Sequence, residues 1–315
     1  MGVCFRMEMM PSSFVLSFLL GLVTSQTHPD IMLALRTAGQ FSTFISFLER
    51  TNIVPFIASS PHFTVFAPTD HAFAKLTPAA LQALNNDQAK MADLMAYHVV
   101  LNQAFHLRGS QDVTLTSSNH HQIRINTYNI VHTVTANGVN ITIRNVLCNH
   151  GVLHGLDSVL VIPTANTLQI GINRPDLSVF TNLVVGAGLL PFFTTDHNQT
   201  LFIPNNAAFQ KLEPRAMQYL ESHPADMKET LKFHLVRATT IFTLGMRHSM
   251  TLPSVDLHHD ALMVLEGTDG SLGINQAKLV ERDIIATDGV IHVLDSVLIP
   301  TRVVVNINDQ GIVLG

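Results

Sequence analysis

Residues 63–73 read FTVFAPTDHAF, and residues 199–209, 136 positions later, read QTLFIPNNAAF. The same spacing relates Phe41 to Leu177, Phe44 to Phe180, Pro55 to Pro191, Leu76 to Leu212, Pro78 to Pro214 and Tyr97-His98 to Phe233-His234. Near the end of each unit the spacing becomes 138, where GVLHGLDSVL at 151–160 is answered by GVIHVLDSVL at 289–298. Self-similarity at a fixed period decides the architecture before any single element does. The chain is a duplicated domain, and the extra residues of the second copy belong in a loop.

The 315 residues suit two domains of ordinary size. Charged residues make up 13% and apolar residues 47%, which excludes a disordered chain. A formal charge of -5 without a run of Lys or Arg leaves nothing to neutralise phosphates, so neither nucleic acid nor an anionic membrane is expected as the main partner. Arg6, the apolar run Phe14 to Val23 and small residues up to Ser25 have the layout of a secretory signal peptide over 1–25. That run is short of the roughly 20 residues needed to span a bilayer. The end of the chain, broken by Asn306, Asn308 and Asp309, lacks a hydrophobic anchor signal. Of the two cysteines, Cys4 falls in the leader, so Cys148 is either a buried inert thiol or the partner of an intermolecular disulfide.

In each copy the opening apolar positions follow helical spacing: Phe41, Phe44, Ile45 and Leu48, then Leu177, Phe180 and Val184. The pattern stops before Pro55 and Pro191, and the alternating run from Phe63 reads as a strand closed by Pro68. Asp70 and Asn206 are candidate caps for the helices that follow. Thr77-Pro78 is a further helix start. In the second half the period changes to two, at Ile123 and Ile125 and at Val139, Ile141 and Ile143. Asn137-Gly138 and Asp269-Gly270 are hairpin signals, because both centres of that tight turn favour positive φ. The expected class is α+β, with helices beside a mostly antiparallel sheet. The expected division is a leader at 1–25, domains at 26–163 and 173–303, a join at 164–172 and a tail at 304–315.

The segment FTVFAPTDHAF, the step Tyr97-His98-Val99-Val100 and GVLHGLDSVLVIP at 151–163 resemble the three signature stretches of the fasciclin-like domain. The second copy matches through LFIPNNAAF, Phe233-His234-Leu235-Val236 and GVIHVLDSVLIP at 289–300. The resemblance implies a wedge-shaped β-sandwich with helices packed around it. It also implies secretion into the extracellular space or matrix and a role in cell adhesion or matrix assembly. The implied partners are a cell-surface receptor such as an integrin, a matrix protein, or a second copy of the chain. In matrix members of the family an Asp-Ile pair before the last signature stretch has been assigned to integrin binding. Asp283-Ile284 stands there, while Asn145-Val146 in the first copy lacks the carboxylate. The Tyr-His motif is Tyr97-His98 in the first copy and loses its phenol in the second. The competing reading is packing: Asp283 capping a turn, with Ile284, Tyr97, Phe233, His154 and His292 turned inward.

His154 and Asp157, like His292 and Asp295, stand three apart, which on a strand sends them to opposite faces. They are expected to be structural, and no catalytic set, metal site or cofactor site is read from the sequence; the pairs His120-His121 and His258-His259 match no zinc spacing. The rival to adhesion is a binding module for a small apolar ligand or a polysaccharide, because the mean hydropathy is positive. Asn140-Ile141-Thr142 and Asn198-Gln199-Thr200 are glycosylation triplets, both expected at exposed turns.

Overall fold

The computed structural model describes residues 28–109, 112–128, 132–194, 198–255 and 260–313. The expected leader and the His258-His259 pair lie outside these residues.

The first copy opens with α1 (Ile31–Ala38), α2 (Ser42–Thr51) and α3 (Val54–Ser59), then β1 (Phe63–Pro68). Next come α4 (Asp70–Ala74), α5 (Pro78–Asn86) and α6 (Gln88–Tyr97). Strands β2 (Val99–Leu101), β3 (Asp112–Thr116), β4 (Gln122–Tyr128), β5 (Thr133–Ala136), β6 (Val139–Leu147) and β7 (Gly151–Leu156) complete it. The second copy repeats the plan with α7 (Thr167–Ile172), α8 (Ser178–Gly186), α9 (Leu190–Phe193), β8 (Gln199–Pro204), α10 (Asn206–Lys211), α11 (Pro214–Ser222) and α12 (Pro224–Phe233). It continues through β9 (Leu235–Arg237), β10 (Thr251–Pro253), β11 (Ala261–Glu266), β12 (Leu272–Ile274), β13 (Ala277–Ile285) and β14 (Gly289–Leu294), and ends in α13 (Thr301–Asp309).

Each copy is a seven-stranded sheet of the same order, β2-β1-β7-β6-β5-β4-β3 and β9-β8-β14-β13-β12-β11-β10. All neighbours are antiparallel except β1 with β7 and β8 with β14. That parallel pair is covered on both faces, so β1 is buried at every position instead of alternating between core and water. Its side chains still alternate between two cores. Val65 packs with Phe44, Leu48, Met91 and Met95 on the helix side, and Phe66 packs with Ile123, Ile125 and Ile141 inside the curled sheet. Register shifts in β6 and β13 bend each sheet back over itself. The sandwich is therefore one folded-over sheet.

Several local expectations are corrected. Asp70 does not cap its own helix, because Thr69 accepts from Ala72 N and fills that role. The Asp70 carboxylate instead reaches the open end of α2, accepting from Thr43 N at 2.8 Å and from Ser42 N at 3.1 Å. Asn206 does the same for α8 through Val179 N, while Asn205 caps α10. Asn137-Gly138 forms the expected turn with φ of 48° and 79°, but at Asp269-Gly270 only the glycine has positive φ. The second copy's counterpart of Asn137 is Asn275 (φ 53°), and each side chain accepts from a strand amide, Arg124 N or Met263 N. The expected join 164–172 contains α7, whose Leu168 belongs to the second core, and the expected tail contains α13, whose Val303 and Ile307 are buried there. α7 is only six residues, too short to stand out as a periodic pattern.

The copies meet where β4 packs on the segment 240–245. Asn126 donates to Thr240 O at 3.4 Å and Phe242 N donates to the Tyr128 hydroxyl at 3.2 Å. Gly138 lies under the Phe242 ring and Gly245 under the Tyr128 ring, each in a place that a Cβ would fill.

Burial alone would raise the Asp70 carboxyl, yet the bonds from Thr43 and Ser42 hold it below its ordinary range. Asp70→Ala is expected to destabilise the first copy by about 1–2 kcal/mol in denaturant melts. Asp70→Asn, which copies Asn206, should cost less than half of that; equal losses would contradict the cross-capping role.

Candidate functional site

The signature residues converge on two buried histidines per copy, all four closed to solvent. His98, at the end of α6, donates from Nδ1 to Leu94 O at 2.8 Å, and its Nε2 accepts from Leu160 N at 3.1 Å. His234 repeats this with Thr230 O and Leu298 N. His154, in the middle of β7, has the opposite tautomer. Its Nδ1 accepts from Asn145 N at 3.2 Å and its Nε2 donates to Phe105 O at 3.0 Å. His292 does likewise with Asp283 N and Ile241 O. Each ring of this second pair stacks on a phenylalanine of the parallel partner strand, Phe66 or Phe202, at 5.4 Å.

Both nitrogens of every ring are thus used, one as donor and one as acceptor. Adding a proton would set N–H against N–H in a site that burial already makes hostile to charge. Burial depresses His98, His154 and His234 to about 4, and it lowers His292 too, against the attraction of Asp283.

Thr64, a residue that sequence reasoning passed over, completes this network. Its buried hydroxyl donates to Gln103 O and accepts from Phe105 N, which positions the carbonyl that His154 binds. Thr200 repeats it with Thr239 O and Ile241 N. The signal was present, since FTVF and QTLF share that threonine at the same place.

Asp283 and Asn145 occupy the bulges of β13 and β6 with φ of 61° and 56°. Asn145 exchanges two bonds with Leu107, accepting from its N at 2.8 Å and donating to its O at 3.0 Å. Asp283 accepts from Thr243 N at 2.8 Å and, through its other oxygen, from the Thr243 hydroxyl. A carboxylate facing a hydroxyl has replaced a carboxamide facing a carbonyl. Ile284 is half-buried against the second core. Tyr97 is fully buried, donating to Gln122 O at 2.8 Å and accepting from Asn137 at 2.6 Å, and burial raises its phenol. Of the four residues expected to present an adhesive surface, Tyr97 and His98 are fully buried, while Asp283 and Ile284 are half-buried.

Asp157 pairs with Lys75 at 3.6 Å and Asp295 with Lys211 at 3.0 Å, away from the histidines three positions earlier. Cys148 is 3% exposed, and burial pushes its thiol up to about 11, leaving little thiolate at neutral pH. The expected exposure of both glycosylation triplets is corrected: Asn140 lies in β6 with its backbone paired to Thr135, and Asn198 accepts from Arg124 at 2.6 Å; both are half-buried. Among the described residues no group of three or more His, Cys, Asp or Glu is placed to hold a metal ion. No helix there is long and apolar enough to cross a membrane.

A cleft of about 460 Å³ opens between the copies, walled by His120, His121 and Arg124 on one side and by Thr287 and Asp288 on the other. Its polar walls do not suit the apolar ligand considered above.

Unfolded histidine titrates near 6.5 and the folded rings near 4, so in that window the unfolded chain binds the extra protons. The stabilisation is complete above about pH 6.5 and is lost as the pH falls toward 4. His98, His154 and His234 are each expected to remove about 2 kcal/mol by pH 5. Denaturant melts between pH 7 and 5 check this, and unchanged midpoints would contradict the neutral-ring assignment.

A family model for the fasciclin domain matches residues 39–163 and 175–300. Transforming growth factor-beta-induced protein ig-h3 of Sus scrofa is 27% identical over 249 residues, 76% of this chain and 35% of that one. Periostin of Homo sapiens is 28% identical over 244 residues, 76% of this chain and 28% of that one. The chain therefore spans about a third of the length of these relatives. The fasciclin-like arabinogalactan protein CTB11 of Cercospora beticola is 26% identical, covering 49% of this chain and 39% of its own. The FAS1 domain pair of the insect cell adhesion molecule fasciclin I aligns with a TM-score of 0.43 and 19% identity, over 85% of this chain and 99% of that one. With both repeats matched, the chain belongs to the fasciclin domain family.

Proposed function

We propose that the chain is a secreted, non-enzymatic adhesion or matrix-binding protein in which two fasciclin domains act as rigid carriers of an outer contact surface. The observation that carries this reading is the saturation of the signature side chains. Four neutral histidines with both nitrogens bonded and no exposure have no free atom for a substrate proton. What the repeat preserves is the frame, so contact falls to residues outside the signature stretches. Secretion rests on the leader-like segment 1–25 and glycosylation on the two triplets. Mass spectrometry of the product of a secreting cell should find a chain beginning near Gln26 and sugar at Asn140 and Asn198; a retained leader would overturn secretion, and unmodified asparagines would overturn glycosylation.

Asp283 enters this reading differently from the way its Asp-Ile neighbourhood suggests. Both oxygens of its carboxylate already accept from Thr243, so a receptor's cation would compete with those bonds for the same group. Asp283→Asn, which restores the residue type of the first copy, is expected to keep both folding and cell attachment. Asp283→Ala should cost about 1–3 kcal/mol of stability in the second copy. Cells plated on each variant, with circular dichroism of the same samples, check this. Attachment lost by a folded Asp283→Asn protein would show a direct carboxylate contact instead.

A further inference from the structure

Arg124 stands out among the charged side chains that the frame does not use. It lies on β4 at the floor of the cleft between the copies and is 6% exposed. Its Nη2 donates to the Asn198 carboxamide at 2.6 Å, while its buried Nε has no partner among the described residues. No carboxylate among them lies within ion-pairing distance of it. Asp112 is bonded to Asn126. Asp288 is spent on Thr167 N, the Thr167 hydroxyl and Gln199, at 2.8, 3.1 and 2.8 Å. These two acids therefore act on the guanidinium through space only. A guanidinium withdrawn from water is costly unless an anion and a full set of acceptors meet it, and here one neutral carboxamide does. The side chain lines a cavity whose volume lies within the roughly 300–1,000 Å³ of small-molecule sites.

We propose that this cleft is a binding site for the oxyanion of a small, hydroxylated acid, of the kind carried by an acidic saccharide unit, with Arg124 as the anion clamp. A carboxylate or sulfate that displaces the Asn198 carboxamide would receive charge-assisted hydrogen bonds from the guanidinium in place of a neutral one. The remaining lining supplies polar side chains for hydroxyl groups: Gln122 from the first copy, Asn166 from the connection, and Thr194 and Thr287 from the second. Because both copies contribute walls, an occupant would also tie them together. The proposal does not depend on the adhesion reading.

The test is calorimetric titration of the full chain, with Asn198 confirmed unmodified by mass, at constant ionic strength. The probes are inorganic sulfate, methyl glucuronide and methyl glucoside. Sulfate and glucuronide should bind saturably, and the neutral glucoside should not. Arg124→Met should weaken both anions by about tenfold or more, the worth of a lost charge-assisted hydrogen bond. Asn198→Asp, which supplies a counter-charge from within the chain, should weaken them as well, and it carries the test if Arg124→Met fails to fold. Glucuronide binding tighter than sulfate would identify a sugar-borne group, and equal binding would show that the oxyanion alone suffices; both outcomes support the site. It is overturned if neither anion binds, if the glucoside binds as well as the glucuronide, or if the folded variants bind unchanged.

Discussion

In each copy the first strand lies parallel to the last, β1 beside β7 and β8 beside β14, joining the beginning of the domain to its end. A parallel pair buried on both faces has no wet side on which to place a polar group, yet each last strand carries a histidine at its centre. That ring is stacked on the phenylalanine across from it and needs two partners inside the protein. The bulge in the neighbouring strand supplies an amide, and the loop after β2 or β9 supplies a carbonyl. Thr64 or Thr200, on the other strand of the pair, fixes that loop. The positive φ of Asn145 and Asp283 and their side-chain bonds follow from the same requirement: an amide cannot turn toward the ring unless the strand bulges there.

Much of this was legible in the sequence because the chain carries its own alignment. The 136-residue period exposed two domains, and Thr77-Pro78 and Asn137-Gly138 marked a helix start and a turn through chemistry local to a few residues. The family resemblance then supplied a fold that periodicity alone left at helices beside a sheet. What stayed hidden depends on partners distant in sequence. Asp70 stands where a cap is expected, but it serves a helix 27 residues earlier, and a carboxylate's reach across a fold leaves no mark on its neighbours. The parallel pair was missed because β1 is buried throughout, so its residue types do not reveal strand direction. The six-residue helix α7 is too brief for a periodic signal, and α13 was missed although Val303 and Ile307 stand at helical spacing.

The candidate site shows the same division. Asp-Ile and Tyr-His are recognisable as motifs, but a motif names residues without saying which way they face. Packing decides that, and the first copy was informative: Asn145 makes the Asp283 contact without a charge, so the position serves the frame first. The cleft between the copies was invisible to sequence reading because Arg124 and Asp288 are 164 positions apart and belong to different repeats. Two domains that keep their signature residues inside leave their outer surfaces and their junction free to differ, which is where relatives of one fold can acquire separate partners.

The central claim is that the signature histidines are neutral, doubly bonded structural groups. Nitrogen-detected NMR of the imidazole rings in the intact chain tests it most directly. The account predicts four rings of fixed tautomer at pH 6, Nδ1–H for His98 and His234 and Nε2–H for His154 and His292, with no titration before the fold is lost. A ring among these four that titrates near 6.5 in the folded protein, or averages its tautomers, would contradict it.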